Sequence, residues 1–413
     1  MATSAVLLGG GPAQGVEQVT ITFSYLWGGN GPEAKAIDAV IADFNKSQSA
    51  IHVVGISSPD FQKQLTSMSS SNGSFDISDH FGNNVGSWAA KGILEPLDGY
   101  LAENNIVLKD FAPSALEQMR YKGKLYSLPI ASHTQELLYN KDLLAAAGIQ
   151  PPKTMTQLAS AIIKLTKRNS KGKITRLGLG IPDAGTLLTT LGQAFGGAWD
   201  GKANNTPTPT DPKIIKALDW YTKNVTKRYG ASNLSAFKSG LGQYMSAQDP
   251  FYTGKIAMVI DGEWQAVNIP KVAPKLNWGV VNIPAYDRKL AGTTQVSTST
   301  LFIPANSKHK KEAATFLAYM MADKPMTDFT MALGNLPSKI SLLANPIYKS
   351  IPNFQIWLNA LKSPNAKSLS STPYSAQYSA DLSIAFDAIL RGVSTPKDAL
   401  NSVAKKATSY NEG

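Results

Sequence analysis

Val19, Ile21, Phe23 and Tyr25 alternate with polar residues, a period of two that predicts a half-buried strand. Pro32 then opens a helix where its missing N–H costs nothing. Ile37, Val40, Ile41 and Phe44 recur at i, i+3, i+4 and i+7 and give that helix one apolar face. Ile51 to Ile56 reads as the next strand. Strand, helix and strand at this spacing predict a βαβ unit and a parallel sheet. Phe61 to Met68 reads as a further helix. Beyond the middle of the chain, Leu158, Ala161, Ile162 and Leu165 make another helix face, capped by Thr154 or Thr156. Thr186 to Phe195 is expected to be helical, and Ile214, Leu218, Tyr221 and Val225 form a further face. Ile256 to Ile260 is a buried strand, and Gly262-Glu263-Trp264 turns from it into a helix. Ala313, Phe316, Leu317 and Met320 mark one more helix, and Thr395-Pro396 opens the last. The expected class is α/β.

The stretch Tyr126 to Gly148 carries the most information. The pattern predicts a strand ending at Pro129, a short crossover, a second strand over Glu136 to Tyr139, and a helix from Asn140. Gly148 stops that helix as a left-handed residue just past its end. The crossover holds Ser132, His133, Thr134 and Gln135, a polar cluster between apolar strands. It reads either as a hinge carrying ligand contacts or as a surface loop between two buried strands.

Ligands of open parallel sheets bind beyond the carboxyl ends of the strands. Trp27 follows the first strand, so its indole is either a stacking platform for a sugar face or a cap on the core edge. Asp79, His80, Asn83 and Asn84 follow a short strand and either point into a cleft or make local turns and caps. Trp27, Trp199, Trp264, Tyr374 and Tyr378 all fall at strand ends, turns or helix starts. Aromatic walls with a few hydrogen-bonding groups suit oligosaccharides. Trp88, Trp220 and Trp278 are assigned to cores.

A chain of 413 residues is too long for one ordinary core, so two bodies are expected. Cysteine is absent, which excludes disulfides and thiolate metal sites. The net charge of +11 reads as a basic, solvated surface. Its densest runs, Lys308 to Lys311 and Lys405 to Lys406, lie on amphipathic patterns without interleaved aromatics, so no nucleic-acid partner is expected. No apolar run approaches the ~20 residues of a membrane span. Met1 to Gln18 is Gly-rich, lacks a charged n-region, and is expected to be a flexible leader.

The four histidines, His52, His80, His133 and His309, show no metal-ligand spacing, and no HExxH, GxSxG or Walker A motif occurs. No metal and no cofactor are expected. Asp261 and Glu263 would make a glycosidase only at a set separation across a sugar. Asp261 is expected instead to cap the helix that begins there.

Three ordered segments carry a resemblance. GKLYSLPIASHTQELLYNKDLLAAAGIQPPKTMTQLASAIIKL (residues 123 to 165), FYTGKIAMVIDGEWQAVNI (251 to 269) and TSTLFIPANSKHKKEAATFLAYMMADK (298 to 324) resemble the extracellular solute-binding proteins of ABC importers, in the carbohydrate-binding, maltose-binding-protein-like branch. The resemblance implies a two-lobed type II binding-protein fold with three hinge crossings. Lobe one would hold residues 19–131 and 302–337, and lobe two 132–301 and 338–413. It implies a monomeric, non-enzymatic receptor that closes on a sugar, an oligosaccharide by its aromatics, and delivers it to ABC permease subunits. Such a protein works outside the cell membrane, either anchored at its outer face as a lipoprotein or free in a periplasm. Trp264 would be the main platform and Trp27 the opposing one. His133, Asn83 and Asp79 would hydrogen-bond hydroxyls, and Trp199 and Tyr378 would lengthen the site. His133 stands where some relatives carry an acid. The competing expectations are a binder of an anionic or phosphorylated solute and a carbohydrate-active enzyme.

Overall fold

The computed structural model describes residues 17–26, 31–71, 73, 75–180, 184–201 and 206–410. Most of the expected leader, residues 1–16, lies outside them. The strands used below are β1 (Val19–Tyr25), β2 (Ile51–Ser57), β3 (Ile77–Phe81), β4 (Leu128–Asn140), β5 (Ile174–Gly180), β6 (Ile256–Gly262), β7 (Trp278–Val281), β8 (Thr294–Phe302), β9 (Leu336–Pro337) and β10 (Ala366–Ser368).

β1 runs parallel to β2, Val19 opposite Ile51 through Tyr25 opposite Ser57, and parallel to β3 on its other side. The helix Pro32–Ser47 crosses between β1 and β2 and buries Ile37, Val40, Ile41 and Phe44 as their spacing requires. Phe316, on the helix Lys310–Met320, closes this first core. Its ring meets Phe23 edge-on at 5.7 Å and Phe44 at 5.0 Å. A second body is built on β5 and β6, which are parallel. The helix Met155–Leu165 packs there with Leu158, Ala161, Ile162 and Leu165 inward, and the Thr154 hydroxyl caps it by accepting from the Gln157 N–H at 3.1 Å. Ile214, Leu218, Tyr221 and Val225 also face this core, but the helix Pro212–Tyr221 widens into a π turn over Thr222–Thr226.

The two bodies share one hydrogen-bonded network of strands, in the order β2-β1-β3-β8-β4-β6-β5. β4 supplies the join. It pairs antiparallel with β8 from Leu128 to Thr134, then antiparallel with β6 from Gln135 to Tyr139. β8 continues across to pair with β3, Ser299 opposite Phe81. β9 adds a short third strand at the seam, Leu336 opposite Ser132.

The chain does cross at Ser132–Gln135, but the expected break between two strands is corrected. β4 is one unbroken strand of 13 residues, and those four polar residues are buried within it. Polarity does not mark a loop here, because burial is offset by partners: the Ser132 and Ser338 hydroxyls meet at 2.8 Å, and the Thr134 hydroxyl donates to the Trp357 carbonyl at 3.3 Å. Beyond β4 the expected helix forms over Lys141–Ala146. Asn140 Oδ1 accepts the Leu143 N–H at 3.0 Å, and Gly148 takes φ +65°.

Phe316→Ala removes a fully buried ring at the meeting point of three aromatics. It should cost about 3–5 kcal/mol, read as a lower urea midpoint with β5–β6 side helices still protected in hydrogen exchange.

Candidate functional site

A cavity of about 490 Å³ opens at the seam. The first body supplies Phe81, Gly82, Asn83 and Gln118. The crossing strands supply Gln135 and residues Gln295 to Thr298. The second body supplies Thr189, Trp199, Asp200 and Trp264, and the C-terminal segment supplies Ser370, Tyr378 and Phe386. Gly82 sits on the wall because nothing larger fits: a Cβ there would stand 2.1 Å from Thr298 Oγ1.

Trp264 is half-buried on the turn from β6 into the helix Gln265–Val272. The indole folds back over Gly262, whose Cβ would lie 2.2 Å from its Cζ3, so the turn requires glycine. Trp264 Nε1 donates to the Tyr244 hydroxyl at 2.8 Å. Trp199 and Tyr378 also reach the cavity, but chiefly as wall. Trp199 is 2% exposed, donates from Nε1 to the Thr189 carbonyl at 3.0 Å and stands edge-on to Phe386. The Tyr378 hydroxyl donates to the Trp199 carbonyl at 2.9 Å. Phe81 is 49% exposed at the end of β3 and offers a ring face from the other body. Sequence reasoning passed over it, since a phenylalanine closing a strand reads as core.

The remaining candidates divide. Asn83 is exposed on the rim of the cavity. Asp79 turns away from it. The carboxylate is buried, its Oδ1 accepts the Leu26 N–H at 2.8 Å, and burial pushes its pKa up to about 8. His80 is wedged between Phe61 and Trp88, and its Nδ1 accepts the Phe81 N–H at 2.7 Å. Burial holds that ring neutral, with a pKa lowered to about 4. Both nitrogens of His133 are engaged by protein, Nδ1 with Glu263 Oε1 at 2.6 Å and Nε2 with Ser299 Oγ at 3.0 Å. Tyr374 stacks on Tyr410 at 5.5 Å, away from the cavity wall. Trp27 lies outside the described residues.

Asp261 does not cap the following helix, as its position suggested. Its Oδ1 accepts from the Tyr244 hydroxyl and its Oδ2 from Gln265 Nε2, at 2.8 and 2.7 Å. Burial, opposed by those hydrogen bonds, raises its pKa to about 7. Glu263 is fully buried against His133 and the Thr134 N–H. Neither carboxyl is on the described cavity wall.

The cavity has a definite hydrogen-bonding and charge character. Gln118 is oriented by Thr298, whose hydroxyl donates to Oε1 at 2.9 Å, and by its own donation to the Leu369 carbonyl at 2.9 Å. The Thr189 hydroxyl holds Gln295 Oε1, which leaves the amide nitrogen of Gln295 as a donor to the cavity. Asp200 is the one ionisable acid or base on the described wall below tyrosine. Burial raises it to about 6, against hydrogen bonds from Ser370, with nearby Glu117 pushing the same way. No Lys, Arg or His lines the described wall, so an anion would find no counter-charge. Among the described residues no group of three or more His, Asp or Glu could hold a metal ion, and no helix is long and apolar enough to cross a membrane.

Two α/β bodies joined by antiparallel crossings, with a cavity at the join, define a two-lobed ligand-binding protein. Residues 28–327 match the family model of the bacterial extracellular solute-binding proteins, and the chain belongs to that family. It is 25% identical over 272 residues to a maltotriose-binding protein of Pyrococcus abyssi, a match covering 65% of this chain and 55% of that protein. It is 27% identical over 329 residues to a mannitol-binding protein of Pseudomonas aeruginosa, covering 76% of this chain and 72% of the relative. The chain thus spans only about half the length of the maltotriose-binding relative. A solved structure of CpMnBP1 with mannobiose bound superposes with a TM-score of 0.80 at 27% identity, over 95% of this chain and all of that one. The family and these neighbours are binding proteins.

The buried acids fix a pH dependence. A carboxyl whose pKa rises on folding keeps its proton in the native state after the unfolded chain has lost it. Stability therefore falls as pH climbs from the unfolded value through the folded one. For Asp79 that window runs from 3.8 to about 8. Asp79→Asn should flatten the decline by up to ~1.4 kcal/mol per pH unit, measured by urea unfolding across that range.

Proposed function

We propose that the protein is the substrate-binding receptor of an ABC importer for an uncharged sugar, of oligosaccharide size. The observation that carries this is the composition of the cavity wall. It offers aromatic surface from both bodies, Phe81 and Trp264, among fixed amides and hydroxyls, Gln118, Gln135, Gln295, Ser297 and Thr298. Aromatic faces take the C–H faces of pyranose rings, and planar amides pair with their hydroxyls. The volume falls in the ~300–1,000 Å³ range of small-molecule sites. The absence of a cation on the described wall argues against an anionic solute, although the chain carries +11 overall. The maltotriose-binding and mannitol-binding relatives and the mannobiose-bound neighbour support the ligand class.

In this reading lobe one comprises residues 19–131 and 302–337, and lobe two 132–301 and 338–413. Sugar contacts both, shifts the hinge equilibrium to the closed form, and the closed form docks on permease subunits in the membrane. The protein acts as a non-enzymatic monomer outside the cytoplasmic membrane, tethered to it or free. Trp264 is the main platform, Phe81 faces it from lobe one, and Asn83 and Asp200 bind hydroxyls at the rim and the inner wall. Trp27 belongs to the same proposal as a second lobe-one platform.

Thermal unfolding against mannobiose, maltotriose, mannitol and glycerol phosphate tests the reading. A true ligand at about 100 times its Kd adds roughly 2.7 kcal/mol, and a shift with glycerol phosphate alone would overturn it. Trp264→Ala should weaken the responding sugar about 30-fold or more, or ~2 kcal/mol, by titration calorimetry with an unchanged circular dichroism spectrum.

A further inference from the structure

Trp264 is not left to find its own orientation. Its one polar atom, Nε1, donates to the Tyr244 hydroxyl at 2.8 Å. The same hydroxyl donates to Asp261 Oδ1 at 2.8 Å and accepts from Gln265 Nε2 at 3.3 Å. A phenol has one donor and two acceptor lone pairs, so this oxygen is fully used. Gln265 closes the ring by donating to Asp261 Oδ2 at 2.7 Å. Asp261 is buried at the end of β6, where the sheet holds it still.

Tyr244 is itself placed with care. It sits on the segment between the helix Ala231–Lys238 and Pro250, and the residue is 41% exposed. The next residue, Met245, takes φ +59°, a left-handed conformation that a side chain disfavours. Buried Asp249 holds it there by accepting the Met245 N–H at 2.8 Å, and Asn268 donates to the Met245 carbonyl at 3.3 Å. Asn268 lies on the helix that Trp264 leads, so that helix also fixes the segment. A strained turn is thus held in place beside a tyrosine whose ring adds little to any core. Its hydroxyl is what the arrangement delivers.

We propose that Tyr244 is a positioning residue for the sugar platform: its hydroxyl, anchored on Asp261, locks the Trp264 indole in its binding orientation before ligand arrives. This rests on the reading of Trp264 as a platform. Locking beforehand removes the ordering cost that a mobile aromatic would charge against affinity. The contact with Gly262 blocks one side of the indole, and the hydrogen bond stops rotation towards the other.

The test uses the full chain labelled with 15N-tryptophan. In sugar-free Tyr244→Phe, the Trp264 indole N–H resonance should move and its order parameter fall, while the other indole signals stay in place. The unfolding midpoint should fall only slightly, because the Gly262 N–H still meets Asp261 Oδ1. The Kd for mannobiose should rise about 3- to 10-fold. Tyr244→Phe should add nothing once Trp264→Ala is present, because its effect runs only through the indole. An unmoved Trp264 signal, or a Kd loss that persists in the Trp264→Ala background, would overturn the proposal. If the wild type binds no sugar, the functional reading falls, and the indole signal still decides whether Tyr244 holds Trp264.

Discussion

Ser132, His133, Thr134 and Gln135 are polar, consecutive and buried, and burial obliges each polar group to find a partner inside the protein. Their backbone is met by β8 and β9 on one side of the seam and by β6 on the other. Their side chains reach further. His133 binds Glu263, and Glu263 also takes the Thr134 N–H. Glu263 precedes Trp264 in sequence, so the pair that satisfies the crossing strand also fixes the start of the turn that presents the indole. Breaking either partner would leave a buried polar group unpaired, which costs more than the hydrogen bond itself contributes. The crossing strand and the Trp264 turn are therefore parts of one hydrogen-bonded unit.

The charge distribution follows the same division between surface and interior. The chain is strongly basic, yet the described cavity wall carries no cation. Inside, Asp79, Glu136 and Asp261 are buried with hydrogen-bond donors in place of cations, and burial raises the pKa of each. The basic residues work at the surface, where they govern solubility and encounter, and the ligand meets a nearly neutral, hydrogen-bonding wall.

Much of the fold could be read from the chain because periodicity reports directly on burial. The first βαβ unit, the inward faces of the later helices, a threonine cap at Thr154 or Thr156, the helix start at Asn140 and the left-handed Gly148 follow from local rules. Trp264 was legible through its glycine turn and lies on the cavity. The misreadings arose where side chains have partners that the local pattern does not show. The crossing segment looked like a loop because its polar groups are satisfied by residues over a hundred positions away, such as Glu263 for His133 and Ser338 for Ser132. Asp261 was misread at short range, because it serves Tyr244, 17 positions away, and Gln265, 4 away, rather than the helix end. Gln118 and Gln295 carried no signal, because glutamine is ordinary in any surface and only the fold aims it.

A join made of paired strands constrains motion differently from a join made of free chain. An antiparallel ladder twists and bends at little cost, but it cannot lengthen or slip register without turning its side chains to the opposite face. β4 and β8 are paired through the seam, with one register shift between Ser299 and Thr300. Movement of one body against the other is thus confined to twisting and bending of that ladder. On the proposed receptor reading, the bulk of what lies between Phe81 and Trp264 sets an angle between the bodies, and a membrane partner reads the size of the cargo from that angle without touching it.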